Sequence, residues 1–230
     1  MKLRDVPAYL YDTLRRLFPH RARTGLRAIG HPGPDAPVLV TCNYTLTLQR
    51  LTRRLAGQDC WLLVADSRGI NVWCAAGGGH FTHHDVIAAL RTSGVEERVR
   101  HREVVLPQLC ATGVERRAVT ETTGWATRWG PARLEDLPDF LARGCRVHKR
   151  ERFMRFPAWE RLDMAAVWAL PMTLIGGLVF GAIGGWAVLV ATEVVIWTLV
   201  PALFLAVPYS ASSVRPSGDW SSTIRCSAAL

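Results

Sequence analysis

The sequence predicts an α/β fold, a parallel sheet with helices on both faces, followed by a transmembrane helical hairpin. Three observations carry this. Unbroken apolar runs alternate with helix-like segments between Pro37 and Gly144, the pattern of strands buried on both faces. Charge then nearly vanishes, with Glu193 the single ionisable residue between Met164 and Val207. Between the two regions stands a basic segment, RGCRVHKRERFMRFPAWER.

The elements follow in order. Leu3 to Phe18 has apolar residues at helical spacing, with Arg4, Arg15 and Arg16 elsewhere. This is an amphipathic helix, packed on the domain or lying on a membrane surface. Residues 1–36 are assigned to this helix and a linker, and 37–145 to the main domain. VLVTCN (Val38 to Asn43) is the first buried strand, and TLQRLTRRLAG a helix stopping at Gly57. CWLLVAD (Cys60 to Asp66) is the second strand. THHDVIAALRTSG is a helix opened by Thr82, with Asp85 completing a capping-box-like start. EVVLPQ is the third strand, TGVERRAVTETTG a helix, WATRWGP a short fourth strand, and LEDLPDFLARG a last helix. Loops at the carboxyl ends of such strands build the ligand site, and GINVWCAAGGGHF follows the second strand.

Residues 146–163 form a basic juxtamembrane linker. The apolar run of 164–208 is too long for one bilayer crossing of roughly 20 residues. Two helices fit, about Met164 to Phe180 and Gly185 to Val207, with GAIGG as the turn. Basic residues before the first span place the main domain in the cytoplasm, at the inner membrane. They also account for the net charge of +9 by facing anionic lipid head groups. The chain has no nucleic-acid-binding motif to compete with lipid. The polar tail, 209–230, has the composition of a disordered segment.

The six cysteines form no C-x-x-C pair, which argues against a zinc ribbon or a cluster within the chain. The charged N-terminus lacks a secretory h-region, so free thiols in a reducing compartment are expected. His80, His83 and His84 cluster without an acidic partner at metal spacing, and read as an exposed helix start. Glu193 is either a proton or ion site within the membrane, or a carboxyl kept neutral or facing another helix. Cys42 reads as a small buried hydrophobe. The glycines of GGGHF match no phosphate-loop pattern. Cys74 has no neighbouring base to activate it. NVWCAA can form one or two helical turns ended by those glycines, and small residues there admit a large flat ligand close to the backbone. The residues leave open a structural cysteine or an axial ligand to a metal in a macrocycle.

NVWCAAGGG resembles the cap-helix signature of the corrinoid protein family of mercury methylation (HgcA), Asn-(Val/Ile)-Trp-Cys-Ala-Ala-(Gly/Ala)-Lys. PVLVTCNYTLTLQRL, WLLVADSRGINVWCAAG, VRHREVVLPQLCATGVE and WGPARLEDLPDFL resemble its corrinoid domain in order, as does the basic linker and apolar end. Two departures stand out: Gly78 replaces the lysine, and two spans replace about five. The corrinoid iron–sulfur protein of the acetyl-CoA pathway has the same type of domain.

The resemblance implies a Rossmann-like fold and a cobalamin-type corrinoid, held base-off with the Cys74 thiolate as lower axial ligand to cobalt. Asn71, Val72, Trp73, Ala75, Ala76 and Gly77 would shape the cap helix under the corrin. Thr41 and Asn43 would contact the cofactor. The implied activity is corrinoid-dependent methyl transfer to Hg(II), with a two-cluster ferredoxin-like protein (HgcB type) as electron donor. The alternatives are a corrinoid methyl carrier of one-carbon metabolism and a degenerate corrinoid-binding paralogue.

Overall fold

The structure, a computed structural model, describes residues 11, 15–16, 18–154 and 156–212. Most of the helix expected over Leu3 to Phe18, and the tail after 212, lie outside these residues. Residues 19–154 form one compact unit; the chain after them belongs to a second.

The first unit is built on a five-stranded sheet: β1 (Gly25–Ile29), β2 (Val38–Cys42), β3 (Cys60–Ala65), β4 (Glu103–Leu106) and β5 (Ala126–Trp129). Its order is β1-β3-β2-β4-β5. Strands β2 to β5 are parallel, as expected. Strand β1 was not anticipated. It pairs antiparallel with β3, Gly25 opposite Val64 and Ile29 opposite Cys60. The sheet thus reaches into the segment assigned to a linker. GLRAI is half-exposed at an edge and lacks the unbroken apolar run that marks a two-sided strand.

Alternation along the strands feeds two cores. Val38, Val40, Cys42, Leu63, Ala65, Val104 and Leu106 pack on one face. Leu39, Cys60, Leu62, Val64 and Val105 pack on the other. This is the period-two geometry of a pleated strand, so helices on both faces follow. Helix α1 (Thr45–Arg54) buries Leu46, Leu48 and Leu51. A short helix, α2 (Val72–Gly77), precedes α3 (His83–Thr92). The expected cap on α3 is present: the Thr82 N–H donates to Asp85 Oδ2 at 2.7 Å and the Thr82 hydroxyl at 2.8 Å. Helix α4 (Arg116–Thr123) stops at Gly124, whose φ of 73° is left-handed. Helix α5 (Leu137–Ala142) contributes Phe140 to the second core.

In the second unit, helix α6 (Ala158–Ser212) is broken at Gly185, where φ is 71° and ψ −170°. Arg161 Nη1 donates to the Leu205 carbonyl at 2.8 Å. A straight helix would hold these residues about 66 Å apart at 1.5 Å per residue. The two limbs therefore run back along each other as the expected hairpin. The reversal is sharper than the five-residue turn read from GAIGG. Gly181 and Gly184 remain helical, and a Cβ on them would lie 2.8 Å from Leu189 and 2.4 Å from Val188. The helix also starts earlier than Met164, because AWERLD continues helical hydrogen bonding after Pro157. It runs to Ser212, past the expected end of the apolar region.

Candidate functional site

Strand order reverses at β2: the chain steps to β3 on one side, then crosses to β4 on the other. In open parallel sheets the crevice at such a point, outside the carboxyl ends, takes the ligand. Asn43, just past β2, is the hub of this edge. Its Oδ1 accepts from Ser67 N at 3.0 Å, Ser67 Oγ at 2.9 Å and Gly69 N at 3.0 Å. Its Nδ2 donates to Asp66 Oδ1 at 2.7 Å. The side chain is 3% exposed and fully engaged within the protein. Thr41 is likewise buried in β2. Of the two expected cofactor contacts, Asn43 is thus a brace for the loop after β3.

That loop is pinned from outside too. The His20 N–H donates to the Gly69 carbonyl at 3.0 Å, and the Ala22 N–H to the Asn43 carbonyl at 2.7 Å. Gly69 has a φ of 75°, and a Cβ there would meet His20 and Arg21 backbone at 2.8–2.9 Å. Ser67, Gly69 and the His20–Ala22 segment were missed in sequence. The one local signal was the Ser-Arg-Gly turn composition of DSRGI.

The braced loop delivers α2. Asn71 is its N-cap, with Oδ1 accepting from the Cys74 N–H at 2.9 Å. Asn71 Nδ2 lies 3.3 Å from Cys74 Sγ. Val72, Ala75 and Ala76 are buried, whereas Cys74 and Gly77 are exposed and Asn71 and Trp73 half-buried. The alanines therefore do not face outward to admit a flat ligand, as the sequence suggested. They let α2 lie close on its own protein. The helix backbone also lies close on Gly113: a Cβ there would sit 2.4 Å from the Phe81 carbonyl oxygen and 2.8 Å from that of Ala76. The glycines end the helix as expected, with the Ala75 carbonyl accepting from His80 N at 2.7 Å and Phe81 N at 3.1 Å.

The thiols separate clearly. Burial pushes Cys42 and Cys110 up, and Cys60 up to about 11. Among the five described cysteines only Cys74 is exposed. The described residues hold no group of three His, Cys, Asp or Glu able to bind a metal ion on their own. Two polar atoms near α2 suit a group larger than a lone metal ion. His80 Nδ1, after the glycines, and Gln108 Oε1, on the turn packed against α2, are buried without a hydrogen-bond partner. A groove of ≈ 410 Å³ lined by Arg27, Thr45, Gln49 and Arg53 lies elsewhere and excludes Cys74.

Fold and site define a doubly wound α/β domain that offers one thiol from a capped helix at its ligand-binding edge. Residues 9–141 match the family model CdhD, CO dehydrogenase/acetyl-CoA synthase delta subunit, and the chain belongs to this family. It is similar to the acetyl-CoA decarbonylase/synthase complex subunit gamma of Methanopyrus kandleri, 38% identical over 125 residues, covering 54% of this chain and 27% of that one. The corresponding subunit of Archaeoglobus fulgidus is 38% identical over 115 residues (49% and 24%). That of Methanocaldococcus jannaschii is 31% identical over 125 residues (54% and 25%). The chain spans about a quarter of the length of these relatives. They bear on the wider family rather than on mercury chemistry. Helix α6 lies outside the matched residues.

Proposed function

We propose that this chain is a membrane-anchored corrinoid protein that carries methyl groups in one-carbon metabolism of the acetyl-CoA pathway type. The observation that carries the reading is the exposed Cys74 on a capped, tightly seated helix at the carboxyl edge, within a chain of this family. Its cofactor would be a corrinoid, which the Cys74 thiolate would hold by ligating its cobalt. When bound, the corrinoid supplies a cobalt that can take up and release a methyl group. The protein's part is positional. Asn43 fixes the loop, Val72, Ala75 and Ala76 seat α2, and Asn71 orders its first turn. Trp73 and Gly77 flank the thiol, and Thr41 shapes the buried end of β2. His80 and Gln108 offer their unpartnered atoms to the polar groups around the macrocycle. Its partners on this reading are subunits of a decarbonylase/synthase-type complex.

A second reading keeps the site and changes the acceptor to Hg(II). The observation in its favour is the sequence Asn71-Val72-Trp73-Cys74-Ala75-Ala76-Gly77 itself, which folds as one helix with its thiol outward. A thiolate donates more charge than an imidazole, which favours release of methyl as a carbanion equivalent to a soft cation. A two-cluster ferredoxin-like partner (HgcB type) would then supply electrons.

The hairpin is the anchor. It is apolar on all sides, with Ile183 and Trp186 each 80% exposed near the reversal, as lipid-facing helices are. The basic residues of 146–163 would meet anionic head groups at the cytoplasmic side of the inner membrane.

The test uses the full chain in detergent, reconstituted with cobalamin. A visible spectrum carrying a thiolate-to-cobalt band that Cys74→Ala abolishes is expected; identical spectra overturn the ligation. Protein loaded with methylcobalamin is then given Hg(II)-thiolate. Methylmercury favours the second reading, and retained methyl the first. Alkaline carbonate washing of cell membranes should leave the chain in the pellet; its release would remove the anchor.

A further inference from the structure

We infer that Asn71 tunes the Cys74 sulfur by a hydrogen bond, as well as capping the helix that carries it; this rests on the ligation proposed above. The side chain meets Cys74 twice. Oδ1 accepts from the Cys74 N–H at 2.9 Å, and Nδ2 lies 3.3 Å from Cys74 Sγ. The first contact decides the second. A backbone N–H can only donate, so the amide must turn its oxygen to it. The amide nitrogen is then obliged to face the sulfur, and its N–H donates there. No flip satisfies both atoms the other way round. Among the usual N-cap residues, aspartate offers only acceptors when ionised, and would set a negative charge beside a thiolate.

An N–H donor at a ligating sulfur withdraws charge from it. The same lever, hydrogen bonding to the sulfurs, sets the potentials of iron–sulfur clusters. Asn71 would therefore weaken the sulfur as a donor to cobalt. A low-potential electron donor that reduced the bound metal would leave the sulfur facing the same N–H, inside a helix turn that stays capped. Asn71 is thus a positioning residue whose effect falls on the potential of the bound cofactor.

The test again uses the cobalamin-loaded full chain. In Asn71→Asp, which keeps the cap acceptor and loses the donor, the thiolate-to-cobalt band moves to longer wavelength. The Co(II)/Co(I) midpoint becomes more negative in a potentiometric titration with titanium(III) citrate. Asn71→Ser, whose hydroxyl oxygen can accept from the Cys74 N–H while its one proton is a shorter-reaching donor to the sulfur, moves both readouts in the same direction by less. A well-folded variant with band and midpoint unmoved overturns the inference while leaving the ligation intact. Unchanged protein keeps it testable if both variants fail to fold. Exchange into D₂O should shift the cobalt–sulfur stretch in resonance Raman spectra, and an unshifted stretch overturns the hydrogen bond. A wild-type spectrum that Cys74→Ala does not alter sinks the ligation itself.

Discussion

Asn43 and Ser67 are joined twice, through Ser67 N at 3.0 Å and Ser67 Oγ at 2.9 Å, both donating to Asn43 Oδ1. This pair locks the end of β2 to the loop after β3, and so sets where α2 begins. Replacing Asn43 with alanine leaves the Ser67 and Gly69 N–H groups without their acceptor, while the Ser67 hydroxyl keeps the Ile70 carbonyl at 2.7 Å. A loss of about 2–4 kcal/mol in stability is expected, measured by denaturant unfolding. Corrinoid affinity should fall with it, although Asn43 itself is buried. Asn43→Asp keeps an acceptor but loses the donor to Asp66 and sets a second carboxylate beside it, so it should be destabilised as well.

Gly113 tests the seat of α2. Its Cβ would press on the Ala76 and Phe81 carbonyls, which are backbone and cannot swing aside. Gly113→Ala should destabilise the domain by about 1–3 kcal/mol, read from thermal melts. On the proposed ligation it should also broaden or shift the thiolate-to-cobalt band, because the helix bearing Cys74 must move.

Glu151 sets an acid limit on the segment after α5. Burial pushes its carboxyl up. The His148 N–H at 2.9 Å and the Arg143 guanidinium at 2.7 Å outweigh that and hold it below the usual carboxylate range. A depressed folded value means the stabilisation is present at neutral pH and is lost as pH falls through that value. Melting temperature should therefore drop on acidification more in the unaltered chain than in Glu151→Gln, which lacks the titrating group. Parallel curves for the two would contradict the assignment.

Thr173 links the limbs of the hairpin. Its hydroxyl donates to Glu193 Oε2 at 2.7 Å and accepts from Trp197 Nε1 at 3.0 Å. Glu193 therefore faces the other limb. Thr173→Val removes both contacts without changing shape. The detergent-solubilised chain should melt earlier by the equivalent of about 1 kcal/mol, with a shift in tryptophan emission. An unchanged melt would mean that packing alone holds the limbs together.

The sequence by itself determined the parallel strands, their helices, the hairpin and the thiol. These rest on local patterns: apolar runs in VLVTC and CWLLVA, the Thr82–Asp85 cap, the charge-free stretch around Glu193, and the NVWCAA signature. Tertiary structure alone decided what those patterns do not encode. β1 joins the sheet because its N–H and C=O groups find β3, not because GLRAI is strongly apolar. Asn43 braces the next loop because donors from Ser67 and Gly69 converge on it. Ala75 and Ala76 are buried, and Gly113, distant in sequence, has no side chain because the Ala76 and Phe81 backbone lies against it. Local pattern fixes how a segment folds, whereas the partners of a buried polar atom, and the side to which a small residue turns, depend on segments brought together only by the fold.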